Sequence, residues 1–144
     1  MVLRLKGSRK DNSVQAITIF LTLEQVLTIH DDQIDRYGGN HGFRDLGLLQ
    51  SSVYRPQATF GGEDLYPSLF EKAAALIHSL LLNHAFVDGN KRTAMTSGTV
   101  FLELNDYSLV VSQQEFYSTA YKIEEKKMNL EQIVAWLKKH SKKL

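Results

Sequence analysis

Ser68-Leu69-Phe70-Glu71-Lys72-Ala73-Ala74-Ala75-Leu76-Ile77-His78-Ser79-Leu80-Leu81-Leu82-Asn83 runs directly into His84-Ala85-Phe86-Val87-Asp88-Gly89-Asn90-Lys91-Arg92. Ser68 and Glu71 stand in the spacing of a capping box, so a helix is expected to open there and to run through Asn83. Its apolar residues cover most of its circumference, which predicts a central, buried helix. The nine residues that follow are a short polar loop. A second helix is expected from about Asn90 to Leu104, with Ala94, Gly98 and Phe101 on one stripe that allows close approach to the first. A loop in that position faces the free N–H groups and the positive dipole end of the second helix, a natural place for an anion.

The flanking chain repeats the helical pattern. Thr22-Leu23-Glu24-Gln25 is a second capping box, and its helix is expected to stop at Gly38-Gly39. Asp45 is a candidate N-cap for a short helix with Leu48, Leu49 and Val53, terminated by Pro56. Residues 57–67 contain Gly61, Gly62 and Pro67 without helical periodicity and read as a loop or small hairpin. Tyr107 to Val111 reads as extended. Ser112 to Glu115 and Asn129 to Gln132 open two further helices, the last with Leu130, Ile133, Val134 and Leu137 on one face. The fold class is therefore all-α: a single helical domain over residues 20–144 with a short flap, preceded by an extension, residues 1–19, expected to be partly mobile. Within that extension, Val14 to Phe20 reads as a short strand or an extended lead-in.

Composition narrows the function classes. With 144 residues, 43% hydrophobic and 23% charged, the chain is of ordinary globular composition and long enough for one real core. No apolar run approaches the roughly 20 residues of a membrane span, and no secretory signal pattern is present at the N-terminus. There are no cysteines, which removes disulfides, thiol nucleophiles and cysteine metal sites and fits a cytoplasmic location. The net charge is +1. Cations gather at the ends, Arg4, Lys6, Arg9 and Lys10 at one and Lys138, Lys139, Lys142 and Lys143 at the other. Neither cluster has the interleaved aromatics of a nucleic-acid face, so solvated termini are expected and no direct nucleic-acid partner.

The chemistry is concentrated in the loop. His84 lies at the end of a buried helix, where a histidine is commonly structural; imidazole is nonetheless the side-chain type suited to serve as general base for a hydroxyl. Phe86 reads as an apolar plug that pins the loop to the core. Asp88 either caps the next helix or holds Mg²⁺, since a single carboxylate with substrate phosphates is the usual way to bind that ion. Gly89 permits a tight turn and close approach to a ligand, and Asn90 either caps the helix or orients phosphate. Lys91 and Arg92 oppose the helix dipole at about 0.3–1 kcal/mol each. A bound anion would turn that conflict into attraction.

The order His-x-Phe-x-Asp-Gly-Asn-x-Arg at 84–92 resembles the active-site motif of the Fic/Doc superfamily. The form Asn-Lys-Arg-Thr-Ala at 90–94 resembles its death-on-curing branch, the toxins of type II toxin–antitoxin modules. Phe20 to Leu27, the stretch Gly38-Gly39…Gly42…Arg44-Asp45…Gly47-Leu48-Leu49, and Arg55 to Gly62 are similar to the same branch, so that the likeness covers roughly residues 20–110. The resemblance implies an all-α core, ATP and a divalent cation, and transfer from the nucleotide to a protein hydroxyl. In the death-on-curing toxins the γ-phosphoryl goes to a threonine of elongation factor Tu, which arrests translation; in the general Fic reaction AMP is transferred. Carried over by position, His84 would be the general base and Asp88 would hold Mg²⁺. Gly89, Asn90, Lys91 and Arg92 would bind ATP phosphate, and Thr59, Phe60, Gly61 and Gly62 would form a flap that aligns the target. Lys91 replaces a glycine, and Met95 an arginine, of the AMP-transferring pattern, which favours phosphoryl transfer. Gly89 matches that pattern, and AMP transfer stays as the alternative. The inhibitory segment carried by many Fic proteins, Ser or Thr with Glu four residues on and then Gly or Asn, is not found. Thr99 and Glu103 have the spacing, but Leu104 follows. A separately encoded antitoxin is therefore expected as partner.

Two other classes compete. An HD-type metal phosphohydrolase would use His30-Asp31, with His41 and His78 as further ligands; against it, a solvated helix face accounts for His30-Asp31 and packing on a neighbouring helix for His78. A non-catalytic module would keep the loop only to grip a partner or nucleotide.

Overall fold

The computed structural model describes residues 17–144. Six α-helices are present among the described residues: α1 (Leu23–Tyr37), α2 (Leu46–Tyr54), α3 (Leu69–Asn83), α4 (Asn90–Leu104), α5 (Gln113–Glu124) and α6 (Leu130–His140). The short strands are β1 (Thr59–Phe60), β2 (Glu63–Asp64), β3 (Tyr107–Leu109) and β4 (Ser141–Lys143). They pair as two antiparallel two-stranded sheets, β1 with β2 and β3 with β4. No helix among the described residues is long and apolar enough to cross a membrane.

The capping signals form as read. Thr22, Ser68 and Asn129 each accept from the backbone N–H three residues on, while Gln25, Glu71 and Gln132 return the bond to the cap. Each box satisfies two of the N–H groups that a helix start leaves without partners. Asp45 and Ser112 cap α2 and α5 with one side-chain bond each. Gly38, at φ 89°, ends α1 and donates to Ile34 O at 2.8 Å. Pro56 does end α2, within a single 3₁₀ turn at Arg55–Gln57.

Helix α3 is the hub: α2, α4, α5 and α6 all pack on it. Ala73, Ala74, Leu76, Ile77, Leu80 and Leu81 are buried along its length, which is the all-round apolar pattern expressed as packing. Gly98 brings α4 close: a Cβ there would lie 2.4 Å from Ile77 Cδ1. The expected flap is a hairpin, with Thr59 opposite Asp64 and Phe60 opposite Glu63. The buried ammonium of Lys72, on α3, holds its return arm through Asp64 Oδ2 at 3.1 Å, Pro67 O at 3.2 Å and Tyr66 O. Arg55 adds a second tie by donating to Tyr66 Oη at 2.9 Å.

Lys142 and Lys143 are exposed, as expected of solvated termini, and they lie in β4, where Ser108 pairs with Lys142 and Tyr107 with Lys143. Only Lys138 and Lys139 occupy the last turn of α6. Residues 17–22 are an extended lead-in rather than a strand, fixed where Asn105 exchanges two hydrogen bonds of 2.9 Å with the Ile19 backbone. The rest of the Val14-to-Phe20 stretch, the N-terminal cations and most of the expected mobile extension fall outside the described residues.

Candidate active site

Residues 84–89 form the connection between α3 and α4, and its shape follows from two left-handed residues. His84 caps α3 at φ 46°, ψ 49°, and Gly89 caps α4 at φ 74°, ψ 20°. Gly89 has little room as well: a Cβ would stand 3.0 Å from Ile34 Cδ1. No side chain caps α4, so Asp88 does not take the helix-capping role open to it. The first-turn N–H groups of α4 face outward as anion donors.

Between those corners the loop is held from several sides. Ala85 and Phe86 are buried, as expected of a plug. Asn90 ties its amide to Phe86, accepting from Phe86 N through Oδ1 and donating one Nδ2 N–H to Phe86 O, both at 3.0 Å. Its side chain is thus fixed to the loop, and its backbone N–H lies in the first turn of α4. On the outer edge, Arg44 N donates to Ala85 O at 2.6 Å and Val87 N to Gly42 O at 3.2 Å, a one-pair bridge between Phe43 and Phe86.

His30 changes the reading of α1. It is buried rather than on a solvated face: its ring stacks on Phe86 at 3.8 Å and 6°, and Nε2 donates to Asp88 O at 2.7 Å. A carbonyl only accepts, so Nε2 carries the proton. Burial pushes the pKa of His30 below the usual 6.5, against the opposing pull of the Asp88 carbonyl. His41 bonds Asp31 at 3.0 Å and Asp35 at 2.9 Å, and those two carboxylates raise its pKa. His78 accepts from Arg55 Nη1 at 2.8 Å, and burial lowers its pKa. His30 Nδ1 also lies 3.9 Å from the Asp31 oxygen that His41 bonds, but no group of three or more His, Cys, Asp or Glu is arranged to hold a metal among the described residues.

Two of the candidate side chains, His84 and Lys91, face α5. His84 Nε2 lies 2.8 Å from Glu124 Oε2, and Lys91 Nζ lies 3.1 Å from Glu124 Oε1. The Lys91 ammonium also sits 4.7 Å over the Tyr121 ring. Arg92 turns the other way, donating to Gly38 O at 3.0 Å and lying 5.5 Å over Tyr37. Asp88 accepts from Asn40 N at 2.9 Å through Oδ2. No hydrogen bond engages its other oxygen among the described residues, and a lone carboxylate of this kind suits a hard cation whose remaining ligands are phosphate oxygens and water. A cleft of about 450 Å³ opens among Gly89, Asn90, Lys91, Arg92, Tyr117 and Tyr121. Gly89, Asn90, Lys91 and Arg92 thus line one cleft, with His84 joined to it through Glu124 and Lys91, while Asp88 faces Asn40. The tip Thr59–Gly62 is not joined to them by any hydrogen bond or ion pair among the described residues, and Phe60 projects outward, 83% exposed.

Sequence reasoning missed Glu124, Tyr117, Tyr121, His30 and Asn40. A signal existed for the first three: Tyr117, Tyr121 and Glu124 are spaced four and three apart and share one face of α5. Its reading was masked by the run Glu124-Glu125-Lys126-Lys127, which looks like solvated charge.

The chain matches the model of the Fic/DOC family over residues 20–102. It is 50% identical over 93 residues to the protein named Toxin Doc of Mycolicibacterium smegmatis, a match covering 65% of this chain and 69% of that protein. It is 38% identical over 82 residues to the protein named Protein kinase doc of Escherichia phage P1, covering 57% of this chain and 64% of that protein. With its motif loop seated between two central helices and the family model spanning more than half of its length, this chain belongs to the Fic/DOC family.

Proposed function

We propose that this chain is the toxin of a type II toxin–antitoxin module, acting as an ATP-dependent kinase on a protein hydroxyl. The observation that carries the reading is a cleft at an uncapped helix N-terminus, lined by Lys91 and Arg92, with His84 joined to Lys91 through Glu124. A base, two cations and free N–H donors are the parts that phosphoryl transfer needs, since catalysis there is mainly positioning and charge stabilisation. His84 takes the proton of the target hydroxyl. Asp88 holds Mg²⁺, which neutralises phosphate charge when bound. The N–H groups of Gly89, Asn90 and Lys91, with the side chains of Lys91 and Arg92, hold the ATP phosphates. Thr59, Phe60, Gly61 and Gly62 align the target segment from the hairpin.

The names of the two relatives, a toxin and a protein kinase, support both halves of the proposal. Met95, wholly buried in the core, leaves no cation where the AMP-transferring pattern has its further arginine. The proposed target is a threonine of elongation factor Tu, reached in the cytoplasm, with arrest of translation as the outcome. A separately encoded antitoxin is the proposed restraint.

The test is incubation with bacterial lysate and ATP labelled separately at the α and γ positions. Transfer of γ-label to one protein of the size of elongation factor Tu, lost in His84→Ala, is expected. Transfer of α-label instead would establish AMP transfer, and the absence of both would refute the enzyme reading.

A further inference from the structure

The geometry points to Glu124 as a positioning residue for His84 and Lys91, an assignment that rests on the proposed transfer reaction. Three observations bear on it. The two oxygens of one carboxylate divide between the two side chains, Oε2 at 2.8 Å from His84 Nε2 and Oε1 at 3.1 Å from Lys91 Nζ. Tyr121, one turn earlier on α5, covers the same ammonium at 4.7 Å. Glu124 is also well shielded, its side chain 20% exposed against 44% for His84, so its contacts are less screened than those of a surface pair.

A histidine base works through one ring nitrogen, and the other must be fixed by a third group. Glu124 stands at Nε2, which leaves Nδ1 to accept the proton. The step balances as follows. The target O–H bond breaks and its proton passes to Nδ1. The oxygen forms a bond to the γ-phosphorus of ATP. The bond from that phosphorus to the bridging oxygen breaks, and its electron pair leaves with ADP. The Glu124 carboxylate then faces an imidazolium. Oε2 is buried without a hydrogen-bond partner although Nε2 lies 2.8 Å away; catalytic hydrogen bonds are often poorly aligned without substrate and tighten when it binds. Glu124 lies beyond residues 20–102, the part that matches the family model, so this chain's C-terminal helices complete the site.

The experiment combines γ-label transfer with ¹⁵N spectra of the histidine rings in wild type, Glu124→Gln, Glu124→Ala and the conservative Glu124→Asp. In the Gln and Ala variants kcat should fall by up to about 100-fold, within the range a general base contributes, and KM for ATP should change with it because Lys91 loses its anchor. Glu124→Asp should recover part of the rate. The His84 resonances should show the proton on Nε2 in the wild type and a mixture of tautomers in Glu124→Ala. Unchanged or increased kcat in Glu124→Gln would overturn the assignment, an increase meaning that the carboxylate competes with phosphate. Identical His84 spectra in wild type and Glu124→Ala would also overturn it. A wild type that transfers no label counts against the kinase reading, and the spectra then decide the role of Glu124 without it.

Discussion

His30 carries more of the site than its exposed neighbours on α1 suggest. It is not among the residues lining the anion cleft, yet it supports Phe86 with its ring face and Asp88 with its Nε2 proton. Removing it in His30→Ala combines a buried large-to-small change with an orphaned carbonyl. A loss of about 2–4 kcal/mol is expected in urea unfolding. The pH dependence has a sign. Burial lowers the folded-state pKa of His30, so the unfolded chain binds the proton more readily and stability falls as pH drops below the ordinary histidine value. His41 acts oppositely: with its pKa raised by Asp31 and Asp35, its contribution is present at low pH and is lost as pH rises through the raised value. His41 is exposed and screened, so the trend of His30 should dominate between about pH 7 and 5. Ring-proton NMR titration should place the His41 midpoint above 6.5 and that of His30 below it; the reverse order would refute the assigned contacts. The residues from His84 to Arg92 were legible because they are consecutive. His30 and Glu124 reach the same place only through packing, at sequence distances that no local pattern encodes.

At the scale of elements, start signals proved the most legible, because a cap and its partner lie three residues apart and stabilise each other locally. The strand β4 was not legible: Ser141-Lys142-Lys143 has no alternation of apolar residues, and it pairs because β3 offers an edge. The α3–α4 contact was readable from Gly98, and it gives a sharp test. Gly98→Ala puts a methyl group within 2.4 Å of Ile77 Cδ1 and should cost about 1–3 kcal/mol as overpacking. Ile77→Ala clears that space at its own cavity cost. The double variant should therefore be more stable than the sum of the single losses predicts, with a coupling of at least about 0.5 kcal/mol in chemical denaturation. Strict additivity would mean that the two helices do not meet as described. Because α3 and α4 carry the two corners of the motif loop, Gly98→Ala should also lower transfer activity while leaving His84 and Arg92 in place.

At the scale of the whole molecule, the proposed nucleotide cleft draws its walls from three elements: the end of the motif loop, the first turn of α4, and the face of α5 that carries Tyr117 and Tyr121. A ligand gripping all three stabilises the folded state by mass action, by about 2.7 kcal/mol at a concentration 100 times its Kd. A rise in Tm with ATP and Mg²⁺ is thus expected for the wild type and a much smaller one for Arg92→Ala. Equal shifts in the two proteins would separate Arg92 from the nucleotide.

The left-handed corner at His84 has a consequence for how such a chain can change over time. A residue with a Cβ at φ 46° carries a backbone penalty of roughly 1–2 kcal/mol that glycine escapes. His84→Gly should therefore hold or raise Tm while abolishing transfer, provided the lost Glu124 contact costs less than the relieved strain. If His84 is the base proposed above, a substitution that silences the toxin would also be one the fold tolerates. Harmless descendants would accumulate as well-folded proteins rather than as unstable ones, still able to occupy an antitoxin.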